Sequence, residues 1–313
     1  MYEFERHDIL VLDGCSKFAQ YPRVDVEDIY SFGNGWHRFR FRLAEHLPGE
    51  KNMTKWYGKW QHRVFHYDTI IIMDGIRGRD VIDFIRRHNP EARIIIYYLN
   101  TFEAGARNDP RIYSSLGCEI FTFDKTQAER YSLQFKPYFY EYEDECADAL
   151  AVRNNITPPT DVFFIGADKG RLTYLTELQK KFAAMGLSVD FTVVADKKKN
   201  YTGQETVNLI EERLPYSFIA RSIVNSKAVL DIVDGGQTGI TLRPMEALFF
   251  NKKLITNNGD IVNYDFYNED NVFLLGKDDM DKLPAFLSAQ AKPATTEICR
   301  KYSLSSWLEG FFV

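Results

Sequence analysis

The tightest constraint on the fold is a set of short apolar runs, each closed by turn residues and separated by segments of helix length. "DILVLDG" (8–14), "DTIIIMDG" (68–75), "ARIIIYYLN" (92–100) and "EIFTFD" (119–124) are rich in Ile, Val, Phe and Tyr. Continuous apolar stretches of four to eight residues between turn signals suit strands covered on both faces. Between the second and third runs lies "GRDVIDFIRRHNPE", with Val81, Ile82, Phe84 and Ile85 at helical spacing and a stop at Pro90. That arrangement is a β-α-β unit, which implies a parallel sheet with right-handed crossovers.

A second alternating series follows. "DVFFIGAD" (161–168) reads as a strand, "RLTYLTELQKKFAAMG" (171–186) as an amphipathic helix closed by Gly186, and "SVDFTVVAD" (188–196) as the next strand. "SIVNSKAVLDIVD" (222–234) reads as a helix end, a turn and a strand; "KLIT" and "DNVFLL" (270–275) add two more strands. The segment 141–160, "EYEDECADALAVRNNITPPT", interrupts the pattern with an acidic block and two prolines; the acids read as a solvated helix face or loop, and the segment mainly as a linker. The expectation is two α/β domains, 1–155 and 156–313, facing a cleft, with the final amphipathic segment docking back on the first. In open α/β sheets ligands sit beyond the carboxyl ends of the strands.

The bulk numbers remove several alternatives. At 313 residues the chain is long enough for two domains of about 150 each. A formal net charge of −5 argues against a general nucleic-acid binder, which carries a basic domain. No run approaches the roughly 18 apolar residues of a membrane span. "MYEFERHDILVLDG" passes straight from charge into a strand-like run and lacks a signal-peptide pattern. Cys15, Cys118, Cys146 and Cys299 are scattered, without CxxC or His partners at ligand spacing, and read as reduced thiols of a cytoplasmic protein.

The stretch 239–258, "GITLRPMEALFFNKKLITNN", carries a lone acid at the mouth of an apolar helix. Glu is rarely buried without a partner, so solvent or a ligand is expected there. Pro244 suits the first helical position, and Glu246 then lies in the positive end of the helix dipole. A polar loop, "RPMEAL", a basic pair, a short strand and "NNGD" follow in an order that resembles the nucleotide-sugar signature of GT-B glycosyltransferases. There a Glu-Ala helix start follows a Gly-rich loop, and "NKKLIT" stands where a "GKPLI"-like strand belongs. The similarity covers roughly 160–313, with a fold-level echo in 1–155. It implies that Glu246 accepts hydrogen bonds from the donor's ribose hydroxyls. The loop "GGQTGIT", including Thr238 and Gly239, offers N–H groups to a diphosphate. Where retaining members carry a second Glu eight positions earlier, this chain has Thr238.

"IGADKGR" (165–171) follows the first strand of the second half. A Gly-x-x-x-Gly turn with Gly166, Lys169 and Arg171 can set two cations and several N–H groups near a pyrophosphate. It looks like the Gly-plus-basic loop that faces donor phosphates in the same fold, and it is not a Walker A motif. Arg243 is a further candidate cation, or equally a bridge to Glu246 or a neighbouring loop.

In the first domain a base must reach the acceptor hydroxyl. Asp13 and Asp74 each close a strand with Asp-Gly, and His37 and Glu103 are further candidates; Arg77 and Arg79 could hold an anionic acceptor. Asp-Gly is also a plain turn signal. The segment 36–66 mixes eleven basic or histidine residues with many aromatics. It suits a peripheral membrane contact, sugar stacking or a packed domain edge. No Asp-x-Asp closes a strand, so no essential metal and no cofactor are expected, the donor itself being the substrate. The resemblance implies an enzyme of surface-polysaccharide or lipopolysaccharide type at the inner face of the membrane. It would move a sugar from a nucleotide-diphosphate donor to a saccharide or lipid-linked saccharide. The alternatives are a nucleotide-sugar 2-epimerase of the same fold and a non-catalytic nucleotide-binding or regulatory module.

Overall fold

The computed structural model describes residues 2–46, 53–74, 76, 78–102, 105–106, 108–152, 160–197, 199–201, 206–233 and 238–313. The chain divides into two compact units, one formed by Met1–Pro137 with Leu304–Val313 and the other by Tyr138–Ser303.

In the first unit, strands β1 (Ile9–Leu12), β2 (Val24–Glu27), β3 (Thr69–Met73), β4 (Arg93–Tyr98), β5 (Glu119–Thr122) and β6 (Gln134–Phe135) form one sheet in the order β2-β1-β3-β4-β5-β6. Every pairing is parallel, with Ile9 opposite both Val24 and Thr69. β3 is buried along its whole length, as a strand covered on both faces must be. Helices α1 (Gly35–His46), α2 (Asp80–His88), α3 (Pro110–Ser114) and α4 (Lys125–Tyr131) belong to this unit. α2 buries Val81, Ile82 and Ile85, with Asp80 and Asp83 in its first turn and Arg86, Arg87 and His88 in its last, which complements the helix dipole. One face of the sheet packs on an aromatic wall of Phe41, Trp56, Tyr57 and Trp60.

The second unit holds β7 (Thr160–Ala167), β8 (Val189–Val194), β9 (Asn208–Ile210), β10 (Ser226–Asp231), β11 (Lys253–Thr256) and β12 (Val272–Leu274). They form a second parallel sheet in the order β12-β11-β10-β7-β8-β9. Its helices are α5 (Glu143–Ala151), α6 (Leu172–Ala184), α7 (Tyr216–Val224), α8 (Leu242–Phe249), α9 (Leu283–Ser288) and α10 (Thr296–Lys301). Side chains alternate along β7, so Phe163 and Ile165 join one core and Val162 and Phe164 another on the opposite face. A further helix, α11 (Leu304–Glu309), completes the first unit.

Three sequence expectations are corrected. The units part at Pro137/Tyr138, whereas the composition break pointed to 155/156, a position outside the described residues. The acidic block forms helix α5 with Glu143, Asp144 and Asp148 on a solvated face, as expected, but it is no linker: it lies inside the second unit, with Cys146 and Ala149 buried. β2, β6 and β9 were not anticipated, because "VDVE", "QF" and "NLI" are too short or too polar to give a strand pattern.

Candidate functional site

The second sheet reverses its strand order between β7 and β10, and such a switch point opens a crevice beyond the strand ends. A cavity of about 520 Å³ lies there, lined among others by Gly166, Lys169, Arg171, Arg213, Tyr216 and Arg243. That volume is in the range of ordinary small-molecule sites, about 300–1,000 Å³.

Each wall is built locally. After β7 the chain turns through Lys169 (φ 45°) and Gly170 (φ 84°), both left-handed. The turn lets the Arg171 N–H donate to the Asp168 carbonyl at 2.9 Å. Asp168 is buried, its Oδ1 accepting from the Leu172 N–H at 3.1 Å and its Oδ2 from Lys199 Nζ at 2.7 Å and the Tyr201 hydroxyl at 2.9 Å. Burial pushes the Asp168 carboxyl up, but those donors outweigh it and hold the group below the usual carboxylate range. Arg171 donates Nε to the Ala167 carbonyl at 3.0 Å and Nη1 to the Ile232 carbonyl, so it ties the ends of β7 and β10 together. Gly166 makes room for it, since a Cβ there would stand 2.8 Å from Arg171 Nη2.

The opposite wall is the start of α8. Thr241 caps it: its Oγ1 accepts from the Arg243 N–H at 3.2 Å and donates to Asp231 Oδ1 at 2.9 Å. Asp231 ends β10 fully buried, and its Oδ2 accepts from Thr256 Oγ1 at 3.1 Å. Burial raises its carboxyl above the ordinary range, with Thr241, Thr256, Arg243 and Arg171 offsetting only part. Tyr142 stacks on Tyr216 with ring centroids 3.6 Å apart, and the Tyr216 hydroxyl shares a 2.8 Å hydrogen bond with that of Tyr140.

Glu246 departs from its expected setting. α8 begins at Leu242, so Pro244 is the third helical residue and Glu246 sits in the second turn. Its side chain is 0% exposed and forms an ion pair with Arg243, which is 14% exposed. Burial pushes the Glu246 carboxyl up to about 7, against the pull of Arg243 and Tyr216. Arg243 lines the cavity and Glu246 does not. The carboxylate thus stands behind the guanidinium.

Gly166, Lys169, Arg171 and Arg243 are therefore brought together. Thr238 and Gly239 are not among the cavity-lining residues; their carbonyls face Asn258 Nδ2 at 3.4 and 3.5 Å. The rest of the expected phosphate loop, 235–237, lies outside the described residues. Sequence reading missed Asp168, Asp231 and the Tyr142–Tyr216 stack. Asp231 closes the strand "SKAVLD" as Asp13 and Asp74 close theirs, and that shared position was the available signal.

In the first unit, β1 and β3 are neighbours at that sheet's own reversal point, and Asp13 and Asp74 follow their carboxyl ends. Both adopt left-handed backbone, φ 55° and 41°. Asp13 Oδ1 accepts from the Ile29 N–H at 2.8 Å, and Asp74 accepts from Asn100 Nδ2. Burial raises the Asp74 carboxyl, with Asn100 and Leu99 opposing. His37 belongs to α1, not to a strand end, and is exposed. Arg79 is engaged by Asp83 at 2.7 Å; Arg77 and Glu103 lie outside the described residues. A shallow cavity of about 410 Å³ beside Asp13 is lined by Gly14, Ser16, Glu27, Asp28 and Lys59 among others. Among the described residues no group of three or more His, Cys, Asp or Glu is arranged to hold a metal ion.

No protein-family model and no curated protein sequence matches the chain. Solved structures do match. AviGT4, a glycosyltransferase involved in avilamycin A biosynthesis, superposes with a TM-score of 0.57 at 14% identity, over 98% of this chain and 96% of that one. The N-terminal domain of Candida albicans trehalose-6-phosphate phosphatase gives 0.57 at 10% identity, over 97% and 95%. A glycosyltransferase from Rickettsia africae gives 0.51 at 12% identity, over 97% and 88%.

Proposed function

The chain has the two-domain α/β fold of GT-B glycosyltransferases, and we propose that it is one: an enzyme that moves a sugar from a nucleotide-diphosphate donor to a saccharide or lipid-linked saccharide in surface polysaccharide or lipopolysaccharide assembly. The observation that carries this reading is the cavity at the switch point of the second sheet, where Lys169, Arg171 and Arg243 converge, the Arg171 guanidinium seated in the room left by Gly166. Three cations around one volume suit a diphosphate, whose charge they stabilise through charge-assisted hydrogen bonds. The stacked Tyr142–Tyr216 pair gives a flat aromatic surface for a base or sugar ring. In this reading Glu246 acts on the ribose end of the donor by way of Arg243.

On the acceptor side Asp74 serves as the general base, since a carboxyl raised by burial is a better proton acceptor near neutral pH than an exposed one. Asp13 and His37 are the other candidates for that role. The reaction needs no metal, the donor charge being met by the three cations. Four free cysteines fit a reducing, cytoplasmic compartment.

The test is calorimetric titration of the full chain with a panel of nucleoside diphosphates and their sugar conjugates. Binding of one diphosphate, followed by release of that diphosphate from its sugar conjugate when saccharide acceptors are added, is the expected result. Binding without turnover on any acceptor would favour a nucleotide-binding module. Failure to bind any nucleotide would remove the donor site.

A further inference from the structure

α1 is anchored on one side and bare on the other. Phe41 is its buried residue, packed against Tyr30 at 4.6 Å, Phe32 at 5.0 Å and, edge-on, Trp56 at 5.4 Å between ring centroids. Ala44 packs on the same core. On roughly the opposite side, Trp36, Phe39 and Leu43 fall at i, i+3 and i+7 and so form one stripe. They are 64%, 51% and 51% exposed, and Trp36 stacks on Phe39 at 5.6 Å. Three large apolar side chains in a row on the outside of a helix mark an interaction surface, not a scatter of single exposures.

The charges around the stripe select its partner. Arg40 and Arg42 fall on either side of it, Arg38 lies over the Phe32 ring at 5.4 Å, and all three arginines are exposed. They occur in a chain whose formal net charge is −5, so the positive charge is concentrated here against the average of the molecule. Self-association through this face would set arginines against arginines around a two-fold axis, an unfavourable pairing. An anionic lipid surface answers both properties at once, taking the aromatic stripe into the headgroup boundary and the arginines onto its phosphates.

We propose that α1 is an interfacial helix that docks the protein on anionic membranes through Trp36, Phe39 and Leu43, with Arg38, Arg40 and Arg42 as its electrostatic collar. Among the described residues no helix is long and apolar enough to cross a bilayer, so this is contact with one leaflet. The proposal uses nothing of the nucleotide cavity and stands or falls separately from the function proposed above.

The chain carries its own reporter. Trp56, Trp60 and Trp307 are buried, leaving Trp36 as the exposed member of the four tryptophans. The full chain is mixed with vesicles of phosphatidylcholine alone or with 30% phosphatidylglycerol, and partition is read by co-sedimentation and by tryptophan emission. Expected are sedimentation with the anionic vesicles only, a blue shift that Trp36→Phe abolishes while sedimentation persists, and a loss of partition in 0.5 M salt. Trp36→Ala/Phe39→Ala/Leu43→Ala should lower partition at least ten-fold, and each Arg→Gln change at 38, 40 or 42 roughly five-fold. Because these side chains are exposed, the variants should keep the far-UV circular dichroism and melting point of the parent. No partition onto anionic vesicles at low salt would overturn the proposal, as would partition without a Trp36 shift. A concentration-dependent dimer that the triple substitution dissolves would instead make the stripe a contact between copies.

Discussion

Glu246 meets opposing demands: it is sealed from water, yet it is the partner of a cation that faces the cavity. Its folded pKa of about 7 lies above its ordinary 4.5. The folded state therefore holds this proton more tightly than the unfolded chain does. The stability it contributes is fully present below pH 4.5 and is lost as pH rises through 7. Relative to Glu246→Gln, the parent should lose up to about 3 kcal/mol of unfolding free energy between pH 4.5 and 7.5, measured by denaturant titration at several pH values. Curves that stay parallel would show that Glu246 titrates as an ordinary surface acid. Lys169 is the simpler case, being exposed on a left-handed turn. Its replacement by Ala should weaken diphosphate binding by roughly ten-fold, the worth of one charge-assisted hydrogen bond, and leave the melting point in place. Unchanged affinity would move the phosphates elsewhere. The sequence brought out Gly166, Lys169, Arg171, Arg243 and Glu246 because basic residues and a helix-start acid carry their chemistry in their names. It left open whether Arg243 faces a phosphate or bridges Glu246, because a two-residue difference in where α8 begins decides which side chain reaches the cavity.

At the scale of elements, runs that are apolar throughout were legible. "TIIIM" and "RIIIYY" bury nearly every residue, so no alternation is needed to identify them. Elements whose stability comes from neighbours were not: α5 reads as a solvated acidic stretch until α7 is packed beside it. The start of α8 shows how one side chain serves two elements. Thr241 caps the helix and also satisfies Asp231 at the end of β10. Thr241→Val keeps the shape and removes both bonds. It should cost about 1 kcal/mol for the cap and about 1–3 kcal/mol more for a buried carboxyl oxygen left without its donor. Thermal unfolding reads the sum, and Thr241→Ser should restore most of it. A valine variant as stable as the parent would mean that the cap and the Asp231 bond contribute nothing net.

For the whole molecule, each sheet has one reversal of strand order, the place where open α/β sheets take ligands, and candidate residues lie at both: Asp13 and Asp74 in one, Arg171 and Arg243 in the other. The rule could be applied from the sequence only as far as strands could be counted, and β2, whose place beside β1 makes the reversal of the first sheet, was too short and polar to recognise. The first unit depends on a distant piece of chain. Trp307 is buried in it, edge-on to Tyr97 at 4.8 Å and Phe311 at 4.7 Å, and tilted against Phe18 at 5.7 Å. Trp307→Ala should destabilise that unit by about 3–5 kcal/mol. Hydrogen exchange should accelerate in β1, β3 and β4 and stay unchanged in β7 and β10; equal acceleration in both sheets would show that the two units unfold as one.

That dependence reaches into how the chain is made. The second unit is contiguous from 138 to 303, whereas the first waits for 304–313. At about 5–20 residues per second of translation, the ribosome needs on the order of ten seconds to cross that stretch. For that interval the N-terminal sheet exists as a nascent chain with the slot for Trp307 open, its Tyr97 and Phe18 uncovered. The usual order of synthesis, in which the first domain made is the first to finish, is here inverted.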